Sequence, residues 1–294
     1  MDPHNQFCQN PHCSARGRRG EGNVRIFSRK EQRHQCTTCH RTCTATKGTP
    51  FYRLHKTADL MLLVVTLLGH GCPVQAIVAA FGLDERTVSA WHARTGTHCR
   101  LVHAHVVQHG QVDLQHVQAD ELWVKLEGKR VWTALSLAVP ARLWLGGVVS
   151  ATRDLLLITA VVQMIHACAR RLDILVCVDG LVSYVTAVRR VFRHAVHTGQ
   201  RGRPRLVQEW GLLLGQVVKQ YARRRVVSVR RRGVCEAIVS VLRATGGGTD
   251  INTDYIERLN ATFRATLVPL VRWGQAIAHR EAVLTAGMYL VGCA

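Results

Sequence analysis

A chain of 294 residues, 47% apolar and only 6% aromatic, is long enough for one large domain and one or two small ones, and its composition excludes a disordered or fibrous protein. Its 39 Lys and Arg against 19 Asp and Glu give a formal charge of +20, which calls for a polyanionic partner. Nucleic acid is the leading candidate, an acidic membrane surface or a ribosomal neighbour the alternatives, and the excess of arginine over lysine suits bidentate phosphate contacts.

The polar start Met1–Asn10 opens no apolar run, so no export signal is expected. The oily stretches Leu60–Leu68 and Leu155–Ile165 fall well short of the roughly twenty residues that a membrane-spanning helix needs. The expectation is a cytoplasmic, nucleoid-associated protein without a membrane partner.

Five of the eleven cysteines lie before residue 44, and the others are scattered in apolar settings such as Cys177 in ILVCVD. The early group reads as metal ligands and the rest as buried thiols in a reducing compartment. Cys36 and Cys39 (CTTC) have the spacing that lets two thiolates reach one tetrahedral ion, and Cys8 and Cys13 (CQNPHC) supply a second pair. With short alternation around Val24 and Ile26, residues 1–50 read as a zinc-ribbon-like head holding one structural Zn²⁺. His12, His34, His40 and Cys43 compete for ligand places. A core this small needs its metal.

Residues 51–110 read as a helical DNA-binding region and linker. A helix is predicted over 57–69 with Thr57 as its cap, then one starting near Pro73 with Ile77, Val78 and Phe81 on one face. Gly82 permits a sharp turn, and Asp84 caps a helix running to about Arg94 with Val88 and Trp91 inward. This is a helix-turn-helix pattern, with Arg86 a candidate DNA contact and a plain helical hairpin the alternative. A histidine-rich linker helix follows over 97–109.

From residue 111 the pattern alternates with period two. QVDLQHVQADELWVKLEG, RVWTALSLAV and LWLGGVVS predict three antiparallel strands, with Asp120, Leu122, Val124 and Leu126 on one face of the first. Asp154 caps a helix through Arg170. LDILVCV is an interior parallel strand ending at Asp179, and a helix spans about Tyr184 to Phe192. Strand-strand-strand-helix-strand-helix is the ribonuclease-H-like order: a mixed five-stranded α/β sheet with helices, placed at 111–294. The two aspartates would be neighbours in such a sheet.

A third carboxylate comes from NTDYIERLNATFRATL, a helix burying Ile256, Leu259, Phe263 and Leu267 and carrying Glu257 at its start, with Asp250 and Asp254 as competitors. Asp120, Asp179 and Glu257 are then the candidate catalytic acids. Hard carboxylates suit two Mg²⁺ (or Mn²⁺) ions about 3.5–4 Å apart, which activate a hydroxyl and stabilise the leaving oxygen of a phosphodiester. Thirteen Lys or Arg and one acid, Glu209, lie between Arg189 and Arg232. This basic insertion, about 195–232, offers Arg201, Arg203, Arg205, Arg223, Arg224 and Arg225 to double-stranded DNA and a fifth strand near Val226–Val229. GGG at 246–248 reads as a flexible joint.

The layout resembles the DDE transposases of bacterial insertion sequences, of the insertion-sequence-one-like kind. The resemblance rests on CQNPHC…CTTC with GTPFYRL, GCPVQAIVAAFGLDERTVSAW, DELW (120–123), VDGLVSY (178–184) and YIERLNATFR (255–264), spanning nearly the whole chain. It implies metal-dependent cleavage and strand transfer of element ends by a homo-oligomer on DNA. The family's acids fall on Asp120, Asp179 and Glu257, and Asn260 and Arg264 would support the acidic helix or touch DNA. It also implies further chain beyond MYLVGCA, hence an expectation of a shortened copy that binds DNA but cuts poorly. Other readings are a DNA-binding regulator or inactive domesticated transposase, and a nuclease that only hydrolyses.

Overall fold

The computed structural model describes residues 2–126, 129–197, 199, 202–223, 225–267 and 281–293. By contacts the chain divides into two units, Met1–Leu63 and Val64–Ala294; the sequence had suggested boundaries after residues 50 and 110.

The first unit carries a three-stranded antiparallel sheet of β1 (Val24–Ser28), β2 (Arg33–Cys36) and β3 (Thr42–Thr44), in that order. Its buried apolar cluster is little more than Cys8, Cys13, Cys36 and Ala15. So small a core leaves the sulfurs themselves as its centre. The first helix, α1 (Ala58–Gly69), contains the division between the units at Leu63, and the Thr57 hydroxyl accepts from the Leu60 N–H as the sequence predicts.

In the second unit α2 (Val74–Phe81) and α3 (Glu85–His103) are joined through Gly82, whose left-handed backbone (φ 60°, ψ 35°) makes the turn sharp. The Asp84 carboxylate caps α3, accepting from the Arg86 N–H at 2.8 Å, and Val88 and Trp91 are buried. α3 does not stop near Arg94. It runs on through Gly96, where it lies so close to α8 (Glu281–Cys293) that an added Cβ would collide with the Ala286 backbone.

Among the described residues the main sheet has six strands, not the five expected. They are β4 (His116–Leu126), β5 (Lys129–Ala138), β6 (Leu143–Ser150), β7 (Leu175–Asp179), β10 (Leu213–Ala222) and β11 (Arg225–Arg232), in the order β11-β10-β7-β4-β5-β6. β4, β5 and β6 form the expected antiparallel meander, β7 is parallel to β4, β10 parallel to β7, and β11 closes the edge antiparallel. The basic stretch is therefore no simple insertion. It contributes a small hairpin, β8 (Arg193–Val196) with β9 (Arg205–Gln208), and then two strands of the main sheet.

Helices cover both faces. α4 (Leu155–Cys168), capped by Asp154 at 3.0 Å to two backbone N–H groups, and α5 (Val182–Val191) bury Val117, Ala119, Val176 and Val178. On the other face α7 (Asp254–Thr266) and α8 pack on Leu122, Val124 and Leu126, and α6 (Glu236–Ala244) packs on Leu175 and Cys177. Burial on both faces is why β7 reads as an unbroken apolar run. The three glycines before α7 form a packed turn, not the loose joint expected: a Cβ on Gly247 would sit 2.9 Å from the His116 ring, and Tyr255 donates its hydroxyl to the Gly246 carbonyl (2.8 Å). No described helix is long and apolar enough to cross a membrane.

Candidate active site

The parallel pairing of β4 with β7 ends at Ala119 beside Val178, so the next residues, Asp120 and Asp179, stand level at the carboxyl end of β7. That end of a parallel strand, with a helix about to begin, is the usual mouth of an α/β sheet. Asp179 also accepts from the Leu181 N–H at 3.0 Å and so fixes the entry to α5. Glu121 joins them: carboxylate oxygens of Asp120, Glu121 and Asp179 all lie within 4.8 Å of one another.

Three acids so close are electrostatically expensive. Burial, then the charges of Glu121 and Asp179, push Asp120 up to about 7. Burial and Asp179 also raise Glu121, against the pull of Arg153, and burial raises Asp179 despite Arg153 and Lys219. Arg153 is the principal counter-charge, paired with Glu121 and 3.5 Å from Asp179. Beneath them the fully buried Tyr184 hydroxyl is raised well above the usual phenol range, first by burial and then by these carboxylates.

Glu257 lies outside this group of three. It lines the same open cleft of about 630 Å³, together with Asp120, Asp179, Arg153, Lys219, Asn260 and Arg264. Its carboxylate accepts from Lys219 and from the Thr253 hydroxyl (2.7 Å). Burial raises its pKa, but these two partners outweigh that and leave it below the ordinary carboxylate value. Asp250 pairs instead with Arg231 at 3.8 Å, and Asp254 is exposed at the start of α7.

The helix bearing Glu257 is clamped to β4 by a residue that sequence reasoning missed. The buried Gln118 side-chain oxygen accepts from the N–H groups of Tyr255 and Ile256, both at 3.0 Å, and its amide donates to Asn252. Gln118 thus caps α7 two residues before Asp120. The same clamp brings Asn260 onto Asp120, donating at 2.8 Å. Asn260 is 1% exposed, and of the two roles expected for it this bond corresponds to support of the acidic site.

Glu121 was the other omission. Period two put it opposite Asp120 and therefore away from the cluster; because helices cover both faces, it is buried, and a carboxylate there needs a partner or an ion. Among the described residues Oδ1 of Asn260 is buried without a hydrogen-bond partner, and buried Glu121 has, besides Arg153, only the Tyr184 hydroxyl close to its carboxylate. Oxygen donors in this number suit a hard divalent cation, so the residues fit such an ion.

The cysteines form a second, chemically different group. Sulfurs of Cys8, Cys13, Cys36 and Cys39 lie within 4.8 Å of one another, with Cys8 to Cys39 at 3.6 Å and Cys13 to Cys36 at 3.9 Å. These separations are far too long for a disulfide and match the edge, about 3.8 Å, of a tetrahedron of thiolates around zinc. Cys43 instead points its thiol at the Phe7 carbonyl (3.9 Å), His12 and His40 are exposed, and His34 is buried outside the group.

Of the expected DNA contacts, Arg86 is exposed on the first turn of α3, and Arg203, Arg205, Arg223 and Arg225 are exposed around β9, β10 and β11. Arg264 is exposed and lines the acidic cleft. Arg201 and Arg224 lie outside the described residues. Compared with models of known protein families and with curated proteins, the chain matches none of them.

Proposed function

We propose that the protein is a metal-dependent polynucleotidyl transferase with a ribonuclease-H-like catalytic body, and that its reaction is the cleavage and strand transfer of insertion-sequence ends: a DDE transposase. The observation that carries this reading is the meeting of Asp120, Glu121 and Asp179 oxygens within 4.8 Å at the mouth of a mixed sheet. A charge of +20 makes a polyanion the natural substrate.

Mg²⁺ or Mn²⁺, when bound, would supply Lewis-acid stabilisation of the attacking and leaving oxygens of the phosphodiester. Asp120 and Asp179 are the acids best placed to hold it, with Glu121 beside them and Glu257 available once it parts from Lys219. Asn260 orients Asp120 by donating to one of its oxygens. Arg264 and Lys219 line the cleft where a phosphate backbone would run, and Arg153 balances the acids in the absence of a cation. Cys8, Cys13, Cys36 and Cys39 would hold one structural Zn²⁺. The exposed arginines of β9 to β11 and Arg86 would contact double-stranded DNA, with a homo-oligomer assembling on it.

The test is incubation of labelled DNA carrying candidate element ends, with and without Mg²⁺ or Mn²⁺. The wild type should nick and join; Asp120→Asn should lose on the order of 10³-fold or more of that rate while binding the same DNA. An Asp120→Asn variant that still cuts overturns the assignment. The pairing of Glu257 with Lys219 favours a second reading, a DNA-binding regulator without strand chemistry, which predicts salt-sensitive binding and no cut product at any metal concentration.

A further inference from the structure

Trp123 and Trp132 face each other across β4 and β5. They lie on the sheet face of Glu121, where Trp132 packs against the α4 side of the core and Trp123 stands exposed beside it. Trp123 is 49% exposed, unusual for an indole on a strand whose alternate residues Leu122, Val124 and Leu126 are all buried. The Arg130 guanidinium lies 4.5 Å from the Trp123 ring centre and 5.8 Å from that of Trp132. Arg153 lies 5.0 Å from the Trp132 ring on its way to Glu121 and Asp179. Indole, guanidinium, indole and guanidinium therefore form a continuous ladder that ends at the acidic centre. Lys125 and Lys129 are exposed at its outer end.

We propose that this ladder is a stacking platform for an unpaired nucleobase of the DNA strand whose phosphate enters the acidic cleft. The proposal rests on the reading of the cleft as a nucleic-acid site. Flat faces of indole and guanidinium are the groups that proteins use to stack single-stranded bases, and stacking tolerates any base because each has a π-face. A base within a duplex has both faces covered by its neighbours, so the occupant is an unpaired base near an end, not paired DNA. The flanking lysines supply the charge that its backbone needs. A cross-strand tryptophan pair kept only for sheet stability would not need half an indole in water or a cation on each ring.

The experiment uses the full chain in EDTA, so that no cutting enters the readout. Anisotropy measures binding to a duplex with a four-nucleotide unpaired tail and to a fully paired duplex of equal length. The wild type should prefer the tailed DNA. Trp123→Ala should lose about tenfold on the tailed DNA, with affinity and salt dependence on paired DNA unchanged, and Trp123→Phe should restore most of the preference. No preference in the wild type overturns the proposal. So does a Trp123→Ala variant that keeps the preference, loses both DNAs equally, or changes only self-association. A protein that prefers tailed DNA but never cuts leaves the platform standing and removes the strand-transfer reading; one that cuts but keeps its tail preference as Trp123→Ala does the reverse.

Discussion

Among the described residues the molecule carries two clusters of candidate ligands, and they are built on opposite plans. In the first unit four sulfurs stand at the centre of a core that has almost nothing else in it. In the second, three carboxylates stand at the rim of a large apolar core, with Arg153 paired to Glu121 and Asp179 and Lys219 paired to the neighbouring Glu257. Soft donors at the centre of so small a core describe an ion that belongs to the fold. Hard donors already partnered by cations describe an ion that belongs to the chemistry and must displace something to bind.

The largest consequence falls on the head. Removing zinc with a strong chelator, or Cys36→Ser, should unfold residues 1–50, because binding free energy on the order of 10 kcal/mol is folding free energy there. Amide exchange should show protection lost in that segment and kept in β4 and β7. Loss of protection throughout the chain, or none at all, would erase the contrast.

A smaller effect separates the acids. Asp120 is held at about 7, above its ordinary 3.8, so the metal-free folded state keeps a proton that the unfolded chain releases. Stability from this group is greatest below about pH 4 and falls as pH rises through about 7, by about 4 kcal/mol at most. Buried His116, lowered to about 4 by burial and Arg142, works in the opposite sense, so the informative quantity is the difference between two chains that both contain it. In EDTA, Asp120→Asn should exceed the wild type in stability by a margin that grows from pH 5 to pH 8. A margin independent of pH contradicts the assignment of strain to Asp120.

The clamp comes next. Gln118→Ala leaves one buried and one half-buried helix N–H without this acceptor and should cost about 2–4 kcal/mol in denaturant unfolding. It should also loosen Asn260 from Asp120, weakening divalent-cation binding, whereas an effect on stability alone would make Gln118 merely structural.

The smallest effect is at Lys219. Its pair with Glu257 is partly exposed, so Lys219→Met should change stability by less than about 1 kcal/mol. The Glu257 carboxyl should titrate higher by NMR, and affinity for Mn²⁺ should rise because that carboxylate has lost its competing cation. Unchanged Mn²⁺ affinity would take Glu257 out of the centre.

Much of this was legible in the sequence because local pattern and tertiary need agreed. Alternation marked β4 to β6, the apolar run marked β7 with Asp179 at its tip, and Ile256, Phe263 and Leu267, with half-buried Leu259, set the inward face of α7. β10 was missed because its stretch reads by charge as part of a basic insertion, and Gly215 within it marks a close approach: a Cβ there would lie 2.9 Å from Ile251. Glu121 was missed because period two assigns it a face but does not say that the face is buried. Gln118 was missed because its partners are 137 and 138 residues away, a distance that no local pattern spans.

The most direct test of the central claim is Mn²⁺ binding followed by electron paramagnetic resonance on the full chain with its head metal in place. Wild type should bind Mn²⁺ at a site that Asp120→Asn and Asp179→Asn each abolish, while both variants keep their zinc and their fold. Equal Mn²⁺ binding by the wild type and both variants would mean that the acids at the mouth of the sheet hold no cation, and the account would fail.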